Sequence, residues 1–201
     1  MLRTCSVITA TWQRHDVLLQ RCVPAVLAQT YPHVRHIIAS DGPDDYLADL
    51  LPQHPSQRYV QLAEHDRAPH WGTAARRAAL DLCDSDYVTY VDDDDALRPE
   101  HVSLLAAALD ASPSAGFAVS RMVSHLPSGP TVIGHAGIGY GQLGTPMIMH
   151  RREILDVATW GEPSACEDWE LVAAWMGAGI IYVCIDAETC DVYPSTYGTQ
   201  L

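Results

Sequence analysis

Residues 86–99 read DYVTYVDDDDALRP, an apolar run that ends in four consecutive aspartates, Asp92 to Asp95. Adjacent carboxylates repel one another, so a folded chain keeps such a cluster where something offsets the charge. Hard divalent cations do this. Mg²⁺ and Mn²⁺ take oxygen ligands and commonly link one or two carboxylates to the phosphates of a substrate. The position suits that chemistry, because ligands of open α/β sheets bind beyond the carboxyl ends of the strands. Two further acidic groups sit at informative places. Asp41 follows the apolar run VRHIIAS and opens an Asp-Gly-Pro turn, and Glu167-Asp168 begins a helical stretch.

The elements that must position these groups alternate along the first half. Residues 4–10 read as a strand, and a helix follows with Asp16 as its cap and Pro24 as a break. Strands over 34–39 and 57–63 flank a short helix near 45–51. A helix over 72–83 precedes the strand 86–91 that opens into the aspartates, and Pro99 suits the first turn of the next helix. This order implies an α/β fold with a mostly parallel central sheet between helices, Rossmann-like, in one domain spanning 1–201. From about 113 the texture changes. A strand over 116–124 leads into a Gly/Pro-rich region, 127–146, expected to form loops and short strands that shape specificity. Helices near 150–157 and over 167–177 and a strand over 180–185 complete the core, and 191–201 shows little periodicity.

Composition limits the functions available. The chain has 201 residues, 48% of them hydrophobic, and a formal net charge of −13. Nucleic-acid binding needs a basic footprint and is not expected. A phosphorylated substrate would meet a repulsive overall field that local cations must overcome. All twelve basic residues are Arg, which excludes a lysine mechanism. The six cysteines lack C-x-x-C spacing and read as small hydrophobes in a reducing compartment. No run of roughly eighteen apolar residues predicts a membrane span, and the N-terminal apolar stretch reads as a strand and not a signal peptide. A cytoplasmic protein is the expectation.

Four segments taken in order, SVITATWQR, LAQTYPHVRHIIASDGPDD, GTAARRAALDLCDSDYVTYVDDDD and CEDWELVAAWMGAG, resemble family 2 glycosyltransferases of the GT-A fold. The resemblance spans roughly residues 4–185 and implies a nucleotide-binding half (1–112) and an acceptor-binding half (113–201). It also implies residue roles. Thr11 and Trp12 lie at the nucleotide, with Trp12 stacking on the base, and Asp41 reads that base. Arg76 matches the arginine of a Gly-x-x-x-Arg-Asn pattern, with Gly72 at its head, and would offset diphosphate charge; Arg67 is a weaker candidate. Asp92-Asp93-Asp94 forms the D-x-D pattern. Asp94 would be the direct Mn²⁺ or Mg²⁺ ligand, Asp92 would lie near the ribose or the metal's water shell, and Asp93 would act as spacer. Asp95 would cap the following turn. Asp168 would be the catalytic base, with Glu167 orienting it or the acceptor, and Trp169 would line the acceptor pocket or pack.

The implied activity is inverting transfer from a nucleotide-diphosphate sugar, UDP-type, to an acceptor hydroxyl on a glycan, lipid-linked or small molecule. The chain departs from the family pattern in places. Ser40 replaces the first of two acidic residues, Arg77 replaces the asparagine, and no histidine follows His150. The last feature implies weaker metal binding, or a site completed by solvent or by a second subunit of a homo-oligomer. Two alternatives stay open at this level. One is a sugar nucleotidyltransferase, disfavoured because the loop Thr11-Trp12-Gln13-Arg14 has no glycine. The other is a non-catalytic nucleotide-sugar-binding subunit.

Overall fold

The computed structural model describes residues 3–51, 54–65, 72–134, 137–161 and 166–194. Its first half follows the predicted alternation. β1 (Cys5–Thr11) is succeeded by α1 (His15–Val17), a π-helical turn over Leu18–Cys22 and α2 (Val23–Leu27). Next come β2 (Val34–Ser40), α3 (Asp45–Leu50), β3 (Gln57–Gln61), α4 (Thr73–Asp81) and β4 (Tyr87–Tyr90). These strands lie in the order β3-β2-β1-β4, all parallel, with Cys5 opposite both Val34 and Tyr87. β1 is buried almost throughout, as its unbroken apolar run requires of a strand covered on both faces. Because the four strands run the same way, Thr11, Ser40 and the aspartates emerge at one end of the sheet.

The second half turns back across the sheet. The two-residue β5 (Ala96–Leu97), α5 (His101–Ala111), β6 (Ala115–Leu126), β7 (Gly129–Ile133), β8 (Ile148–Arg151), α6 (Glu167–Gly177) and β9 (Ile181–Val192) follow in sequence. β8 pairs antiparallel with β4 and with β6, β9 runs parallel to β6, and β7 hangs on β6. Among the described residues the nine strands form one sheet. α5 turns Val102, Leu105 and Leu109 onto it, and α6 turns Leu171, Val172 and Trp175, the faces their helical spacing predicts. Met176 is only partly buried.

Several local expectations are corrected. The helix expected near 150–157 is the end of β8 followed by a 3₁₀ turn, Arg152–Asp156. The run Met147–His150 is wholly buried, and Ile148–Arg151 fills the place between β4 and β6, bonding to a strand on each side. Asp16 lies in the first turn of α1, but Arg14 holds the cap position, with no side-chain cap. The final strand runs on to Val192, well past the predicted end, because Arg98 draws Asp191 in at 2.9 Å and β5 pairs with it. Residues 195–201 and Arg67 lie outside the described residues. Cys5, Cys22, Cys83 and Cys190 are buried as expected, whereas Cys184 is exposed. No helix among the described residues is long and apolar enough to cross a membrane.

Candidate active site

The site forms where β1, β2 and β4 end. Val91 donates its N–H to Ile8 O at 3.0 Å, and Asp41 donates its N–H to Thr11 O at 2.9 Å. These bonds fix the three strand ends side by side, so Trp12, Asp41 and Asp92 leave the sheet on one edge. Immediately after β1 the backbone turns sharply. Gln13 adopts φ 51°, the left-handed region, which costs a non-glycine residue about 1 kcal/mol or more. The turn sends Trp12 toward β2 and Arg14 toward the aspartates.

At the β2 side, the Trp12 and His65 rings stack with centroids 4.3 Å apart and an interplanar angle of 7°. His65 Nδ1 lies 2.7 Å from Asp41 O, and the same ring is 3.5 Å from Asp41 Oδ2. Gly42, at φ 137°, makes room for this pair. A Cβ there would come within 2.6 Å of the Trp12 ring and 2.9 Å of His65 Cβ.

The four aspartates take four different environments. Asp92 is the most open, its side chain 36% exposed, and it receives Arg76 at 2.6 Å. Asp93 is buried and accepts from Thr11 Oγ1 at 2.7 Å and from Arg14 at 2.8 Å. Burial pushes its carboxyl up to about 7 while these two donors pull it back toward the ionised form. Asp94 accepts from the other nitrogen of Arg14 at 2.7 Å, and its carbonyl accepts from Arg21. Asp95 is buried and takes the N–H of Tyr193 at 3.0 Å, so it anchors a remote segment and not the following turn. Burial, reinforced by Asp92, pushes its carboxyl up to about 9.

Arg76 links this loop to the second half of the chain. It is 4% exposed, sits over the Trp160 ring at 4.8 Å, and donates to Asp92 and, at 2.8 Å, to Glu167 Oε1. The helix α4 that carries it begins at Gly72, whose φ of 79° and missing Cβ let the turn lie against Ala10; a Cβ there would approach Ala10 Cβ to 2.7 Å. Glu167 is buried, its Oε2 has no hydrogen-bond partner among the described residues, and burial pushes its carboxyl up to about 7 against the pull of Arg76. Asp168 is half-buried, accepts its neighbour Trp169's N–H at 2.7 Å, and is raised above the ordinary aspartate range chiefly by burial.

The predicted residues are therefore brought together. Thr11, Trp12, Asp41, Arg76, the aspartates, Glu167 and Asp168 all lie at one end of the sheet or are joined to it through Arg76. Arg76 is engaged by two carboxylates instead of standing ready for phosphate alone. Arg77 binds the carbonyls of Trp160, at 2.6 Å, and Gly161. Sequence reading assigned no role to Arg14, His65, Arg21 or Tyr193. Arg14 carried a usable signal, since it is the basic residue that ends the first strand motif and faces an acidic cluster. His65 and Tyr193 carried none, because their contacts are made across the fold.

A parallel first half, an antiparallel return and an acidic loop at the strand ends match the GT-A glycosyltransferase architecture. The model of glycosyl transferase family 2 matches residues 6–160, and the chain belongs to that family of enzymes. Glycosyltransferase GlyA of Streptococcus pneumoniae serotype 4 is 26% identical over 88 residues, 43% of this chain and 12% of that protein. The structure of S. aureus TarS residues 1–349 superposes with a TM-score of 0.76 at 18% identity, covering 94% of this chain and 60% of that one. The same TarS fragment in complex with UDP-GlcNAc gives 0.72. Mannosyltransferase PcManGT from Pyrobaculum calidifontis, in complex with GDP-Man and Mn²⁺, gives 0.75 at 13% identity, covering 98% of this chain and 59% of that one. The chain thus spans about three fifths of these structures and a small part of the curated relative.

Proposed function

We propose that this chain transfers a sugar from a nucleoside-diphosphate sugar, UDP-type, to an acceptor hydroxyl with inversion at the anomeric carbon. The observation that carries the reading is the Arg76 bridge. One buried guanidinium ties Asp92, on the loop suited to the donor, to Glu167, beside the carboxylate suited to deprotonating the acceptor. Binding of UDP-GlcNAc by TarS and of GDP-Man by PcManGT supports a nucleotide-sugar donor.

Each residue then has a task. Trp12 offers a flat apolar face to the base, and Asp41 accepts its ring N–H. Thr11 and Arg14 hold Asp93, so the acidic loop is set before the donor arrives. Arg76 pairs with both Asp92 and Glu167, and its positive charge lowers the negative field that a diphosphate must enter. Asp168 takes the proton from the acceptor hydroxyl as that oxygen attacks the anomeric carbon from the face opposite the leaving group. One base and direct displacement invert the centre. Glu167 Oε2, buried and without a hydrogen-bond partner among the described residues, orients the acceptor or the sugar by accepting a hydrogen bond from a hydroxyl.

Asp92 and Asp94 are the residues that would hold Mn²⁺ or Mg²⁺. Among the described residues no cluster of three or more histidine, cysteine or acidic side chains is arranged as a closed metal site. The donor set fits a hard cation that is held by one or two carboxylates and completed by substrate phosphates. When bound, the cation supplies charge that stabilises the departing diphosphate. A thermal-shift screen of nucleoside diphosphates with and without Mn²⁺ tests the reading. Saturation at about one hundred times Kd should add roughly 2.7 kcal/mol of stability. Stabilisation by UDP that needs the metal is expected, and no response to any nucleotide contradicts the proposal.

A further inference from the structure

The acidic loop is gripped from behind by a contact set that the transfer reaction does not itself require. Tyr193, just past β9, stacks on His125 with centroids 4.7 Å apart and an interplanar angle of 9°. The guanidinium of Arg21 lies 3.9 Å from the centre of the Tyr193 ring. Tyr193 is thus in contact with a cation and an imidazole at once. Its N–H is spent on Asp95 Oδ1 at 3.0 Å, and Arg21 donates to the carbonyl of Asp94. His125 is steadied in turn by Asp191 at 2.8 Å, and Asp191 by Arg98 at 2.9 Å. The π turn and the segment just past β9 therefore meet at the backbone and side chain of two adjacent aspartates, and the far half of β6 supports them through His125.

From this geometry we infer that Tyr193 and Arg21 are positioning residues for the donor loop. Their contacts are with the loop and not with the residues assigned to the base. Together they fix the Asp94–Asp95 main chain, and that fixes where the Asp94 carboxylate stands. Arg14 holds the same carboxylate from the other side at 2.7 Å. Four adjacent acidic side chains would otherwise be free to spread apart, and the carboxylates would lose the register that a diphosphate needs. The inference rests on the nucleotide-sugar reading above and adds to it the residues that preorganise the site.

The test compares Tyr193→Ala, Tyr193→Phe and Arg21→Gln by calorimetric titration with UDP and Mn²⁺, alongside hydrogen exchange of the 92–95 amides. Tyr193→Ala and Arg21→Gln should each weaken UDP binding about tenfold, the scale of a desolvated cation–ring contact. Exchange at 92–95 should speed up while the core amides stay protected. Tyr193→Phe keeps the ring and the N–H, so it should bind within about twofold of the native chain. Should Tyr193→Ala unfold, Arg21→Gln, which leaves β9 untouched, decides the question. Native-like UDP affinity and exchange in Arg21→Gln overturn the inference. An unmodified chain that binds no nucleoside diphosphate overturns the donor reading instead, and the exchange measurement still reports on the clasp.

Discussion

Asp168 sits beside Glu167 at the start of α6. It is partly desolvated and accepts the amide of its neighbour Trp169, and burial makes it hold a proton more readily than an exposed aspartate. A general base must be ionised. Activity is therefore full above its raised pKa and falls as the pH drops through it. The acid limb of the pH–rate profile should lie above the range of an ordinary aspartate, and a limb inside that range contradicts the assignment. Gly42 gives a second prediction at this scale. A Cβ would strike Trp12 and His65, and φ 137° suits only glycine. Gly42→Ala should weaken nucleotide binding by about tenfold and lower stability by roughly 1–3 kcal/mol, read by titration and denaturant unfolding. Most of these residues were legible because their types recur at strand ends in recognisable motifs. The partners that tune them were not, since Arg14 meets Asp93 across 79 positions and Tyr193 meets Asp95 across 98.

Helix α4 shows how an element places a functional group. Its buried face is Thr73, Ala75, Arg76 and Ala79, so small residues bring the helix close to β1 and the one long side chain reaches under the acidic loop. Gly72 makes that approach at the helix start. Gly72→Ala should cost about 1–3 kcal/mol through the Ala10 contact and the left-handed φ, and it should loosen Arg76 from Asp92. A denaturation midpoint equal to that of the unaltered chain contradicts this. The helix was readable from its Ala-rich periodicity, but the tightness of its seat was not. The same limit explains the error at 150–157. Residues 150–157, HRREILDV, mix polar and apolar positions at a spacing that admits a helix, and the pairing of His150 and Arg151 with strands on either side decides otherwise.

Across the whole molecule, the parallel half was legible from its alternation of strands and helices; in the return, strands over 116–124 and 180–185 were legible as segments, but their pairing was not, because it joins elements far apart in sequence. That return carries α6 to Arg76 and so closes the site. Three imidazoles are buried within the sheet and at its contact with α5. His36 faces Thr9, His101 lies between Thr89 and Thr189, and His150 meets Tyr90. Burial pushes His36 and His101 down to about 3 and His150 to about 4. Below about pH 6.5 the unfolded chain takes up protons that these rings refuse, so each opposes folding as the pH falls. Asp93, Asp95 and Glu167 act in the opposite sense, because the folded state holds their protons more tightly. The rings themselves should therefore be observed by NMR. All three should remain neutral at pH 5, and a ring titrating near 6.5 contradicts the packing described. The central claim is that Asp168 is the base of a nucleotide-sugar transfer, and replacing it with Asn tests that most directly. Donor binding and turnover of a UDP-sugar, to acceptor or to water, are measured side by side. Asp168→Asn should bind donor as the native chain does and turn it over about 10²–10⁴-fold more slowly, whereas an unchanged rate at unchanged affinity would contradict the account.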